Sequence, residues 1–266
     1  MTAVKTGTLL SSTPLDATVS TPARTRESFY LGLAVAMSFT AYFGFWFTYF
    51  GPMSAGNYPT VSPIVHLHGW TFFVWYLLLP AQAGLIRTSR VAIHRRVGLT
   101  SIALGAVMIA VGLIVSTVQV DLARRPDGNP FWRLMGLPIF AIWLLFTFFY
   151  GAAIYQRKNR AIHRQFIVLA SAVALGAATF RIVVQFLGMT SWTSIVGSLL
   201  PVLFIATATM YEYRNGRSGR VLAWGGSAFL ALAGAGFLFA MTPGADFVEN
   251  GIGWIGTVLS PLYPLP

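Results

Sequence analysis

The sequence predicts an all-α protein, a polytopic membrane bundle of about seven transmembrane helices, and three observations support this fold class. Hydrophobic residues make up 56% of the chain and charged residues only 9%, whereas a soluble domain carries about 25% charged residues. The apolar residues fall in continuous runs of about twenty, the length that a helix needs to cross the hydrocarbon core of a bilayer. Basic residues fall between these runs, as is typical of loops at a membrane surface.

Seven apolar runs define the predicted spans in chain order. They cover approximately residues 29–50, 64–86, 97–118, 132–154, 165–187, 192–210 and 220–241. The sixth run is interrupted by Pro201, so its boundaries are the least regular. Continuous runs favour helices over a membrane β-barrel, whose strands are short segments of alternating polarity. The connections are short, so we expect a single seven-helix membrane domain over residues 29–241.

The two ends of the chain differ from the spans. Residues 1–28 are rich in Thr, Ser, Pro and Ala and contain no uninterrupted apolar core, so we expect a disordered cytoplasmic tail rather than a cleaved signal peptide. Residues 242–266 are apolar but too short and too rich in proline to span a membrane. This segment is therefore predicted to be a tail that lies along the outer interface.

The distribution of basic residues predicts the topology and explains the net charge of +11. Fourteen of the eighteen basic residues fall in four segments that alternate along the chain and so share one face of the bundle. The positive-inside rule assigns this face to the cytoplasm, with the N-terminus inside and the C-terminus outside. A positive net charge that arises in this way does not indicate binding to nucleic acid. The fourteen residues are Lys5, Arg24, Arg26, Arg87, Arg90, Arg95, Arg96, Arg157, Lys158, Arg160, Arg164, Arg214, Arg217 and Arg220.

A short phrase is repeated at the start of two helices. "AIHRRVGL" at residues 92–99 returns as "AIHRQFIV" at 161–168, and a tryptophan, Trp75 or Trp143, precedes each histidine by about one helix length. Helices two and three therefore look like a copy of helices four and five, and we expect a pseudo-twofold axis along the membrane normal. That relation predicts His94 and His163 at the same depth, where they could face each other.

Two interpretations of this histidine pair stay open. Two imidazoles from facing helices complete the axial positions of a haem iron, and neighbouring arginines such as Arg95 and Arg164 can bind the propionates. Alternatively, each His-Arg pair anchors the start of its helix at the lipid headgroups.

A second polar group is predicted near the opposite face. His66 and His68 lie near the outer start of helix two, and Arg181 and Gln185 lie near the outer end of helix five. Arg181 is the only basic residue placed well inside a span, and such a residue usually faces a protein cavity and has a partner. His68, followed by Gly69, is the histidine we expect to share a pocket with Arg181, because that glycine allows close approach. Snorkelling of Arg181 to the outer interface is the structural alternative.

Several functions lack their residues in this chain. Retinal attachment needs a lysine within a span, and the two lysines, Lys5 and Lys158, lie outside the spans. The absence of cysteine excludes disulfides, thiolate chemistry and iron–sulfur ligation. Ion-driven transport generally uses intramembrane carboxylates, and Glu212, at the inner end of helix six, is the only candidate. No catalytic residue is predicted.

One series of residues in helices two to five has a recognisable order. The series is His68-Gly69, Trp75, Gln82, Arg90, His94-Arg95-Arg96, Gly98, His163-Arg164 and Arg181-Ile182. Over residues 64–187 this order resembles a group of uncharacterised bacterial integral-membrane proteins, whose layout is similar to that of transmembrane b-type cytochromes of the ascorbate-reducible and ferric-reductase-like kind. The resemblance implies a bacterial inner (plasma) membrane location, haem b held by His94 and His163, and electron transfer across the membrane. This chain departs from the cytochrome pattern because His66 and His68 share one helix, so a second bis-histidine set cannot be completed.

These observations predict a membrane protein that binds a redox cofactor, haem b or a quinone. His94 and His163 are the candidate axial ligands or inner-site contacts, with Arg95 and Arg164 beside them. His68, Arg181 and Gln185 are the candidates for an outer pocket. The alternative is a cofactor-free accessory or assembly subunit that packs against lipids, pigments or partner membrane proteins through its aromatic and small-residue faces.

Overall fold

The computed structural model describes residues 21–125, 128 and 130–264, and within them the chain is helical. Residues 1–20 of the predicted tail therefore lie outside the described residues. A short π-helical segment (Trp46–Phe50) and a short 3₁₀ segment (Ser260–Leu262) accompany the α-helices. The α-helices are α1 (Thr21–Phe45), α2 (Gly51–Ser54), α3 (Pro63–Arg87), α4 (Val91–Ala123), α5 (Pro130–Tyr155), α6 (Arg160–Ala174), α7 (Gly176–Leu187), α8 (Ser191–Leu199), α9 (Val202–Arg214), α10 (Arg220–Ala240) and α11 (Ala245–Leu259).

Seven helical stretches are long and apolar enough to cross a membrane, which confirms the all-α, seven-span prediction. Each corresponds to one predicted run, but two of them are interrupted. The fifth span breaks at Leu175 between α6 and α7. The sixth breaks before Pro201, between α8 and α9, because proline cannot donate the backbone hydrogen bond that a continuous helix needs. The chain is thus a multi-pass membrane protein.

Both ends of the membrane domain carry more helix than the sequence suggested. α1 is already helical at Thr21, the first residue described, and not only from near residue 29, so residues 21–28 are helical although they were predicted to belong to a disordered tail. At the other end, α11 forms from the segment predicted as an interfacial tail and packs along α4. Glycine makes that contact possible, because a Cβ at Gly256 would collide with the backbone of Thr117.

Five of the spans pack in a ring, and the other two pack against it. α1 contacts α3, α3 contacts α4, α4 contacts α5 and α5 contacts α6, and α7 returns to α1. α10 packs on α5, while α8 and α9 cover α7 and α6. The core of the ring is apolar, with Met108, Leu169 and Phe229 fully buried. Large apolar side chains such as Phe148, Trp224 and Leu238 are exposed on the outside, as expected of a surface that faces lipid.

The two ends of the bundle differ in charge. We call the end that carries Arg90, Arg157 and Arg217 the basic end, and the end that carries the connection between α2 and α3 the far end. A hydrogen bond from Arg87 to Ser28 joins the helices at the basic end. A hydrogen bond from Arg181 to Thr48 joins them at the far end.

Candidate functional site

His163 lies in the first turn of α6 at the basic end. Asn159 caps this helix by accepting a hydrogen bond from the Ile162 amide. The His163 Nδ1 atom lies 2.8 Å from the carbonyl oxygen of Ala153, near the end of α5. A carbonyl only accepts hydrogen bonds, so Nδ1 carries the proton and the lone pair is left on Nε2.

His94 lies in the first turn of α4 and binds back to α3 through Gln82. One orientation of the Gln82 side-chain amide gives both its nitrogen and its oxygen a partner. In this orientation the nitrogen lies 2.5 Å from His94 Nδ1 and the oxygen lies 3.0 Å from the Gly98 amide nitrogen. In this arrangement Nδ1 accepts a hydrogen bond, so the proton is on Nε2. His94 and His163 therefore hold opposite tautomers.

The two histidines share one structural role. Each begins the second helix of a hairpin and ties it to the end of the first, His94 through Gln82 and His163 through Ala153. The two imidazoles are close enough to interact electrostatically. In the described part of the chain, neither Nε2 atom has a hydrogen-bond partner, so both are available to a ligand.

The basic residues beside the histidines point in different directions. Arg95 is exposed. Arg164 Nη2 lies 3.3 Å from Glu212 Oε1, and Arg217 Nε lies 2.7 Å from Glu212 Oε2. The Tyr30 hydroxyl donates to the same carboxylate at 2.5 Å. Glu212 is only 1% exposed, so this cluster of Tyr30, Arg164, Glu212 and Arg217 joins α1, α6 and α9 beneath the surface of the basic end.

The cluster also holds the loop between α9 and α10. Burial on its own lowers the pKa of Arg217, but its hydrogen bond and charge interaction with Glu212 outweigh burial and raise that pKa above the ordinary value. Arg217 therefore stays charged and stays paired. Sequence reasoning considered Glu212 only as a transport carboxylate. The available signal was its position, since an acidic residue at the inner end of a span needs a cationic partner.

At the far end, a π-helical segment shapes the surroundings of Arg181. Residues Trp46–Phe50 follow α1 without a break, and such segments occur often at functional sites. The segment places the Thr48 hydroxyl 2.8 Å from Arg181 Nε. Arg181 Nη1 donates to the Ala177 carbonyl at 2.7 Å, and the guanidinium lies over the Phe45 ring. All of these partners are uncharged, and no carboxylate pairs with Arg181 among the described residues.

His68 faces the interior of the bundle at the same end. Its Nδ1 atom is buried and has no hydrogen-bond partner among the described residues. The ring packs against Phe72 and faces α4 and α5, where a Cβ on Gly112 would lie 4.0 Å from His68 Cε1 and 2.9 Å from Trp143 Cδ1. Gly112 thus makes room for the Trp143 ring beside this imidazole, since a Cβ there would be too close to Trp143 Cδ1. His68 and Arg181 are close enough to interact electrostatically.

The other candidates at the far end lie elsewhere. His66 Nδ1 is 2.9 Å from the hydroxyl of the buried Tyr49, so it has a partner of its own. Gln185 is exposed, and no hydrogen bond from its side chain is found in the described residues. His68 and Arg181 thus lie at the same end within electrostatic range of each other, whereas His66 is bonded to Tyr49 and Gln185 is exposed.

Three comparisons, with protein-family models, with curated proteins and with solved structures, found no match to this chain. Among the described residues there is also no group of three or more His, Asp or Glu side chains that could hold a metal ion.

Proposed function

We propose that this membrane protein is an electron-transfer protein that binds a quinone in the far-end half of the bundle, between His68 and Arg181. One observation carries the proposal. A buried imidazole nitrogen without a partner lies within electrostatic range of an arginine whose hydrogen bonds go only to uncharged groups. Buried polar groups are normally satisfied, so an orphan of this kind indicates a missing ligand or water.

The chemistry of these groups suits a quinone. An arginine and an imidazole N–H can each donate a hydrogen bond to a quinone carbonyl, and the other imidazole tautomer can accept one from a quinol hydroxyl. The neighbouring rings of Phe72 and Trp143 provide apolar surface for a flat ligand. When bound, a quinone supplies reversible uptake of electrons and protons, and the protein supplies orientation and a water-poor site.

Haem b at the basic end is the alternative cofactor. His163 holds the tautomer that an axial ligand needs, because Nε2 keeps its lone pair and Nδ1–H is bound to a carbonyl. His94 fits less well, since its Nε2 carries the proton while Gln82 donates to Nδ1. Ligation by both histidines would require the Gln82 amide to rotate and to give up its bond to the Gly98 amide. The haem proposal is therefore the more demanding of the two.

A cofactor-free accessory subunit is the second candidate function. The observation that favours it is the hairpin role of both repeated histidines, which explains the repeated phrase without a ligand. Exposed aromatic side chains, among them Phe39, Trp46 and Trp192, could then pack against lipid or partner membrane proteins.

The quinone content of the purified protein tests the proposal. We expect Arg181→Gln to lower the apparent affinity for a ubiquinone or menaquinone analogue at least tenfold, because hydrogen bonds from charged groups contribute about 1.5–3 kcal/mol. We expect His68→Leu to lower it about threefold to tenfold, since a neutral bond is weaker. The measurement is solvent extraction and quantification of quinone per protein, followed by titration of the extracted protein.

His66→Gln is the matched control, because His66 lies on the same helix and already has Tyr49 as its partner. Retention of full affinity in this control, with losses in the other two variants, would support the proposal. Equal affinity in all four proteins would contradict it, as would the absence of saturable binding to the unsubstituted protein.

A further inference from the structure

The cluster at the basic end has more cationic than anionic charge. Arg164 and Arg217 both contact the carboxylate of Glu212, so two guanidinium groups share one negative charge. Two positive charges against one negative charge leave one positive charge uncompensated. A buried charge cluster is favourable only when its charges and hydrogen bonds are matched. The arrangement is therefore complementary to one further anion.

Unpartnered nitrogens point to the same conclusion independently of the charge count. Arg164 Nε and Arg217 Nη2 are buried and have no hydrogen-bond partner among the described residues. Arg26 Nε is in the same condition. Arg26 precedes Tyr30 by one helical turn, so it lies on the face of α1 whose tyrosine binds Glu212. Three arginines from separate segments thus have buried N–H groups without partners, and two of them contact the Glu212 carboxylate.

The position of these arginines indicates which anion they suit. They lie where spans begin or end, since one candidate span starts at Thr25, a second starts at Arg160 and a third ends at Arg214. This is the level of lipid headgroups in a bilayer, where basic pockets between helices bind phosphate-bearing lipids. The bond from Gln165 to the Ser218 carbonyl holds the Arg217 loop against α6. Arginine is well suited to phosphate because its planar group donates two parallel hydrogen bonds.

We propose that Arg26, Arg164 and Arg217 form a binding site for a phosphate group at the basic end, occupied by the headgroup of an anionic phospholipid. Glu212 and Tyr30 keep Arg164 and Arg217 in place, and the remaining N–H groups donate to the phosphate oxygens. The rings of Tyr30 and Tyr211 lie under the arginines, with Arg164 at 4.4 Å and Arg217 at 5.3 Å from the ring centroids. The site needs neither His94 nor the far-end pair.

A lipid titration of the full-length, delipidated protein in detergent tests this site. We expect phosphatidylglycerol to raise the temperature of thermal unfolding with a saturable dependence, and phosphatidylcholine to have no such effect. Arg217→Gln should weaken the apparent affinity for phosphatidylglycerol about five-fold, the value of one arginine near a membrane surface. Arg214→Gln removes the same charge from an exposed position on α9 and should leave the affinity unchanged.

Arg26→Gln keeps the proposal testable if Arg217→Gln does not fold, because both arginine contacts to Glu212 remain in that variant. It should also weaken phosphatidylglycerol binding. Inorganic phosphate is titrated in parallel. Saturable stabilisation by phosphate that depends on Arg217, without any by phosphatidylglycerol, would overturn the lipid as occupant and leave a soluble phosphate compound. If Arg214→Gln and Arg217→Gln weaken phosphatidylglycerol binding equally, the site would be overturned, because the lipid would then be attracted by any basic residue at this end.

Discussion

Glu212→Gln is expected to lower the free energy of unfolding by about 3 kcal/mol. Removing one partner from a buried charge pair costs roughly 3–5 kcal/mol, because the remaining charges are left without compensation. The lower end applies here because the side chains of Arg164 and Arg217 are 22% and 29% exposed and keep some hydration. The Tyr30 hydroxyl also loses a charged acceptor. Thermal or denaturant unfolding of the purified protein in detergent measures the effect.

Asp121→Asn is the matched control for that variant. It removes the same charge from an ion pair with Arg125, and the side chains of Asp121 and Arg125 are 17% and 48% exposed. Asparagine keeps an oxygen that can accept the hydrogen bond from Thr257. Partly exposed pairs contribute about 0–1 kcal/mol, so this variant should unfold close to the unsubstituted protein. If both substitutions cost the same, the buried cluster does not hold α1, α6 and α9 together.

Gly44→Ala is expected to cost about 3 kcal/mol, since it forces α1 away from α7. A Cβ at residue 44 would collide with the carbonyl oxygen of Ala178 and lie 2.8 Å from its carbonyl carbon. Both sides of this contact are helix backbone, so no side-chain rotation relieves the overlap, and overpacking typically costs 1–3 kcal/mol or more. Thr48 follows one turn later on the same face, so its hydrogen bond to Arg181 should also weaken. The free energy of unfolding and the affinity for quinone should therefore decrease together.

Gly32→Ala tests whether that effect comes from the contact and not from glycine as such. Gly32 lies on the same helix, and a Cβ there would meet nothing within 4 Å. Alanine favours a helix by about 0.5–1 kcal/mol over glycine, so this variant should be as stable as the unsubstituted protein or slightly more stable. A comparable loss in both variants would mean that α1 and α7 do not approach closely at Gly44.

The spans could be predicted because a helix that crosses a membrane requires a continuous run of apolar residues. The interruptions needed more than hydropathy. Pro201 indicated the break in the sixth span. The break in the fifth span, at Leu175, has no proline and so could not be predicted in this way. The π-helix at Trp46–Phe50 likewise follows from how α1 meets its neighbours and leaves no composition signal. The inward N-terminus and the duplication of helices two and three remain predictions.

The sites were predictable only as groups of residues near the same end. Helical rise placed His68 beside Arg181 at the far end, since depth follows from residue number. Direction around the helix axis did not follow, which is why Gln185 was included although its side chain is exposed. The partners of His94 and His163 depend on how each hairpin packs, so Gln82 and Ala153 could not be assigned as their partners from the sequence. The Glu212 cluster depends in the same way on three helices that are distant in the chain.

A dithionite-reduced minus oxidised absorption spectrum, from the ultraviolet to the visible, tests the central claim most directly. The protein is expressed with haem precursor supplied and purified in detergent with a quinone analogue, and unbound analogue is removed before the spectrum is recorded. We expect an ultraviolet change from reduction of the bound quinone that is smaller in His68→Leu, whose affinity should be about threefold to tenfold lower, and no b-type haem band. A b-type band that disappears in both His94→Ala and His163→Ala would contradict it and would make the repeated histidines the ligands of a haem.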